Sequence, residues 1–189
     1  MPDFEASSTS LVNDLRARYA GWEGVEQLIG TPQRLVKMYE EFCWPMDRIR
    51  TEASAQFRQF KDGFGEMLVE GPISTVMICP HHLLPVKVRC WIGYIPQGKV
   101  LGVSKFARVT AIMGKRPIMQ EKYVTELADL LMEKLEPKGV AVYMEGEHGC
   151  MTCRGVMQDA KVATSAIRGV FLKEDATRAE FFSIAARLG

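Results

Sequence analysis

Between residues 67 and 172 the apolar pattern changes period twice, and that order restricts the fold more than any other feature of the chain. Strand-like runs at 67–70 and 73–78 flank Gly71-Pro72, and runs at 86–94 and 99–103 flank the turn Pro96-Gln97-Gly98. Two helix-period segments follow back to back. Ser104 is placed to cap the first, which runs to Met113; the second spans Gln120–Leu135, with Val124, Leu127, Leu131 and Leu135 inward. Strand patterns return at 140–145, 154–158 and 162–172, before a closing helix near 176–188. The layout that satisfies this order is α+β: an antiparallel β-β-α-α-β-β unit with helices on one face of the sheet.

Ahead of this unit the chain is helical. Leu11, Leu15 and Tyr19 recur every four residues, and a second helix carries Leu35, Met38, Tyr39 and Phe42 on one face. Thr31 is placed to cap that helix, with Pro32 at its first position and Pro45 beyond its end. The expected division is therefore 1–64 as an N-terminal helical region and 65–189 as the sheet domain. A formal net charge of +1 offers no global field for nucleic acid or an anionic membrane, so a polyanion must be met by a local cluster of cations. Residues 1–10 lack the basic start and apolar run of a signal peptide, and no stretch is long enough to span a bilayer, so the expected location is cytoplasmic. Five cysteines, an odd number, read poorly as a disulfide framework, which points a clustered subset toward metal or catalysis.

All three histidines fall beside cysteines, in Cys79-Pro80-His81-His82 and His148-Gly149-Cys150. Cys79 and His82 are three apart, so a turn can aim both at one ion. Zinc suits a mixed sulfur and nitrogen site, and three protein ligands leave a fourth position for water. Cys150 is the natural third ligand. His81 must point away from its neighbour His82, which frees it for substrate. His148 shares a face with Cys150 in extended chain, so a ligand and a proton-moving imidazole stand side by side. Cys150-Met151-Thr152-Cys153 also has the spacing of a redox pair or half a four-cysteine site. A cysteine-only site would leave His82 without a role and close off the water position.

Anion binding is the second theme. Ser104, Lys105 and Arg108 open one helix, Arg34 and Lys37 repeat the cation spacing on another, and Arg154 follows the Cys150 segment. Helix starts and paired cations suit phosphate. Gln120-Glu121 opens the long helix, where a carboxylate ordinarily offsets the helix dipole.

Taken in order, several segments resemble the GTP cyclohydrolase I family. They are Thr31-Pro32-x-Arg34-x-x-Lys37-Met38, Cys79-x-His81-His82, Gly93-Tyr94-Ile95-Pro96 and Leu101-Gly102-Val103-Ser104-Lys105-Phe106-Ala107-Arg108. Arg116-Pro117, Gln120-Glu121, His148-x-Cys150-Met151-x-x-Arg154-Gly155-Val156, Thr164-Ser165 and Gly169-Val170-Phe171 continue the series. The resemblance implies the tunnelling fold, with subunits side by side in a pentameric β-barrel, two pentamers stacked as a homodecamer, and active sites at subunit boundaries. It implies zinc on Cys79, His82 and Cys150, and conversion of GTP and water to 7,8-dihydroneopterin triphosphate and formate, the first step of pterin and folate-type biosynthesis. Glu121, with Gln120, would hold the guanine edge, and Ser104, Lys105, Arg108, Arg154, Arg34 and Lys37 the triphosphate. His148 would protonate the guanine imidazole, zinc-activated water would attack the adjacent carbon, and His81 with Ser104 would serve acid–base steps as the ribose rearranges. Pro80 stands where the family usually has Glu, and Val88 where Gly is common.

Overall fold

The computed structural model describes residues 2–189, which divide between Cys43 and Trp44 into two compact units. The first unit is a pair of helices, α1 (Pro2–Arg18) and α2 (Thr31–Phe42), joined through a 3-10 turn at Val25–Leu28. Val12 is buried, and Phe4 meets Tyr39 edge to face with ring centroids 5.5 Å apart. Gly30, rather than Thr31, occupies the cap position of α2, and no side chain bonds there.

The second unit begins with α3 (Met46–Ser54), which sequence reading passed over by taking Pro45 only as the end of the preceding helix. Pro45 instead precedes the first turn of α3, where its missing N–H has no helical partner to lose. Residues 44–64, expected with the N-terminal helices, belong with the sheet: α3 packs on α4 (Ser104–Met113), and β1 (Gln59–Lys61) pairs antiparallel with β4 (Lys99–Leu101). The main sheet is four-stranded and antiparallel, in the order β2 (Leu68–Ile78), β3 (Pro85–Ile95), β5 (Gly139–His148), β6 (Lys161–Gly169). The two runs expected around Gly71-Pro72 form one strand, with the register shifting between Glu70 and Ile73.

Alternation along β3 and β5 assigns the two faces. Val86, Val88, Cys90, Ile92 and Tyr94 of β3 join Val140, Val142 and Met144 of β5 in the larger core, against α3, α4 and α5 (Gln120–Leu135). Phe106 and Val109 of α4 and Tyr123, Leu127 and Leu131 of α5 are fully buried in that layer. The opposite face is not bare, as the one-sided layout required. Trp91 and Ala141 pack there with Phe171 of α7 (Val170–Lys173) and Phe181 and Ala185 of α8 (Asp175–Leu188). These aromatic residues hide their area on the second face, so the helices lie on both sides of the sheet.

Two further expectations are corrected after β5. Residues 154–158 form no strand. Gly155 and Met157 have positive φ, and Val156 and Met157 are 65% and 70% exposed, so this apolar pair has no core to enter. The run at 162–172 breaks at Gly169, whose φ of +63° turns the chain from β6 into α7. A Cβ there would sit 2.3 Å from the Lys138 carbonyl, so the turn accepts only glycine. Among the described residues no helix is long and apolar enough to cross a membrane.

Candidate active site

At one end of the sheet the loop after β2 folds back on itself. Cys79 N–H donates to the Leu84 carbonyl at 3.0 Å and Leu83 N–H to the Cys79 carbonyl at 2.9 Å, with Leu83 in the left-handed region. This tight loop returns His82 beside Cys79. The short helix α6 (Gly149–Thr152) continues from the end of β5, which pairs with β3 through His148 opposite Val86, and it brings Cys150 to the same place. Ile118 N–H donates to the Ile78 carbonyl at 3.0 Å, which seats the start of α5 against the end of β2. Four chain segments thus converge where only one pair is close in sequence.

The donor atoms of Cys79, His82 and Cys150 all lie within 4.8 Å of one another, and the two sulfurs are 3.9 Å apart. Cys79 is buried, Cys150 half-buried and His82 exposed, so the cluster has an inner wall and an open side. Burial pushes the Cys150 thiol up, the adjacent Cys79 pushes it further, and Arg154 acts in the opposite sense. Two thiols this close ionise together only with a cation between them. Two sulfurs, one imidazole and an open side fit zinc. Cys153 stands apart, its thiol directed at the Gly149 carbonyl 2.6 Å away, and Cys90 is sealed in the core, where burial raises its thiol.

His148 lies beside this cluster on the core-facing side of β5. Burial lowers its imidazole from the ordinary value, and the nearby Glu121 carboxylate offsets part of that. Its Nε2 is 2.9 Å from Oε1 of Gln120. His81 is exposed, with Nδ1 3.9 Å from the Cys79 sulfur. Cys79, His82 and Cys150, both remaining histidines, Gln120, Glu121 and Arg154 therefore gather at one end of the sheet. Gln120, expected at the substrate, is only 1% exposed and uses its amide inside the protein. Its Nε2 donates to the Val162 carbonyl at 2.9 Å, to Thr164 Oγ1 at 3.0 Å and to the Met144 carbonyl at 3.3 Å. Sequence reasoning missed this because its acceptors are mostly backbone carbonyls of distant strands, which no residue type announces.

The cations divide differently. Leu101 N–H donates to the Tyr94 hydroxyl at 3.2 Å, and Phe106 packs at a tilt against Tyr94 with centroids 5.1 Å apart, so α4 starts at the Tyr94 end of β3. Cys79 lies beyond the Pro85 end, because Ile78 pairs with Pro85. These ends are about 30 Å apart at the rise of an extended strand. Ser104 and Arg108 are exposed there, and Lys105 donates to Gln56 Oε1 at 3.3 Å. Within one chain they do not meet Cys79, His82 and Cys150. Arg34 and Lys37 are exposed on α2, in the first unit.

Fold and site together define an α+β protein in which three donors able to hold a metal ion adjoin a half-buried histidine. Comparison with known proteins supplies the family. The family model described as GTP cyclohydrolase I matches residues 20–186. The protein named GTP cyclohydrolase 1 from Aquifex aeolicus is 43% identical over 160 residues, covering 84% of each chain. Its namesake from Pelotomaculum thermopropionicum is 44% identical over 161 residues, covering 84% of this chain and 85% of the other. The one from Dehalococcoides mccartyi is 42% identical over 167 residues, covering 87% of each. Among solved structures, the apo archaeosine synthase QueF-Like aligns with a TM-score of 0.44 at 19% identity, over 58% of this chain and 97% of that one. The chain belongs to the GTP cyclohydrolase I family.

Proposed function

We propose that this chain converts GTP and water to 7,8-dihydroneopterin triphosphate and formate, as the first step of a pterin or folate-type pathway. The observation that carries the reading is the convergence of Cys79, His82 and Cys150 beside His148, in a chain whose relatives bear that enzyme's name. Zinc held by the three donors would supply Lewis-acid activation of a water molecule beside the guanine. Glu121 accepts hydrogen bonds from the guanine ring N–H and exocyclic amine. His148 delivers a proton to the imidazole nitrogen, which makes the neighbouring ring carbon electrophilic. Two waters enter, one to open the ring and one to release that carbon as formate; one water leaves when the pyrazine ring closes. His81, with Ser104, handles protons during the ribose rearrangement. The triphosphate stays intact and serves as a handle, gripped by Arg154, Ser104, Lys105, Arg108, Arg34 and Lys37.

Because the α4 cations and the metal ligands lie at opposite ends of one sheet, a single GTP needs both from different copies. Among the described residues, strands β2 and β6 each pair on one side only. Pairing β6 of one copy with β2 of the next closes those edges in a ring, consistent with a tunnelling-fold barrel and a decamer of two pentamers. The direct test is incubation of zinc-loaded protein with GTP. Formate and a pterin that fluoresces after oxidation are expected in equal amounts. Release of inorganic phosphate without formate would sink the reading.

A further inference from the structure

We propose that Gln120 is a positioning residue that holds His148 as its Nε2–H tautomer, leaving Nδ1 as the atom that exchanges a proton with substrate. The orientation of the Gln120 amide follows from what surrounds it. The carbonyls of Val162 and Met144, 2.9 and 3.3 Å away, can only accept, so the amide nitrogen must face them. A flipped amide would set oxygen against both. Oε1 is thereby turned to His148 Nε2 at 2.9 Å, and an acceptor at that distance requires a hydrogen on the ring nitrogen.

A second observation shows that space is kept for this pair. Gly146 lies on β5 between Met144 and His148, on the same face. A Cβ added to Gly146 would stand 2.1 Å from Gln120 Oε1 and 3.2 Å from His148 Nε2. The absent side chain is the seat into which the amide and the imidazole fit. Gln120 is held by β5 and β6 while belonging to α5, so the ring is fixed relative to the sheet and to Glu121, the next residue along. The donor strength and aim of a proton-transferring imidazole depend on what its other nitrogen bonds.

The catalytic consequence rests on the role proposed for His148, whereas the tautomer does not. Three histidines make the test tractable. Zinc-loaded protein labelled with ¹⁵N-histidine is examined by solid-state NMR at a pH where the rings are neutral, and His148 is assigned by its loss in His148→Asn. The wild type should show His148 protonated at Nε2 alone, and Gln120→Leu both tautomers. In Gln120→Leu, kcat for GTP should fall roughly 10–100-fold. KM should stay within about twofold and the zinc content should not change. Gly146→Ala should show the same split, because its methyl displaces the amide. Protonation of wild-type His148 at Nδ1 would overturn the proposal without any variant having to fold. So would a Gln120→Leu enzyme with raised KM and intact kcat, the result expected of a substrate contact. A wild type that shows the expected tautomer but releases no formate would instead remove the reading of the activity.

Discussion

In the proposed mechanism the cluster separates residues that would hold a metal from one that would move a proton. Cys79, His82 and Cys150 share a small volume, while the 2.9 Å contact from His148 Nε2 goes to Gln120. Replacing any of the three ligands with Ala should therefore remove both bound zinc and turnover. His148→Ala should keep about one zinc per subunit and lose formate release, by on the order of 10²–10⁴-fold. Metal analysis beside a formate assay separates the two patterns, and equal zinc loss in His148→Ala would mean that acid and ligand have been interchanged. Cys153 tests the same boundary from outside. Its thiol turns back to Gly149 in an exposed position, so Cys153→Ser should retain zinc and most of its turnover under reducing conditions. Zinc lost from that variant would require a different ligand set.

At the scale of elements, Glu70 on β2 is a half-buried carboxylate whose Oε2 has no hydrogen-bond partner among the described residues. Burial raises its carboxyl from 4.5 to about 7, and the buried Cys90 of β3 feels its charge. The folded chain thus keeps a proton that the unfolded chain releases above its ordinary value. Stability from this group is greatest below pH 4.5, falls as pH rises toward 7, and levels off above that. Glu70→Gln should melt at a higher temperature than wild type at pH 8, and the gap should close as pH falls to 4.5. Melting curves across that range check it; identical curves throughout would show that the carboxylate finds a partner or solvent. Legibility from sequence followed similar physics. α5 was readable because Val124, Leu127, Leu131 and Leu135 enter one core at helical spacing. α3 buries only Ile49 and Ala53, which is too faint a stripe to find. Val156 and Met157 imitated a strand because apolar identity says nothing of exposure. Cys79, His82 and Cys150 stood out because cysteine and histidine are scarce and were grouped, whereas the hold on Gln120 is made mostly by carbonyls that every residue carries.

The whole molecule raises the question of how many chains make one site. In a single chain the start of α4 and the Cys79 end of the sheet are about 30 Å apart along β3. One nucleotide cannot lie against Lys105 and His148 of the same copy. If neighbouring copies complete each site, Lys105→Ala and His148→Ala damage different halves of it. Each variant alone should be nearly inactive. Co-expressed in equal amounts and assembled at random, they should produce intact sites wherever a good metal half meets a good cation half. Each half is intact with even odds, so roughly a quarter of the sites should work. Mixing the two proteins after assembly should recover nothing until the rings are dissociated and re-formed, and the active fraction should elute far above the 21.2 kDa monomer mass. Full activity in a monomeric fraction, or no recovery in the co-assembled rings, would show that the cations of α4 and the histidine of β5 do not serve one shared site.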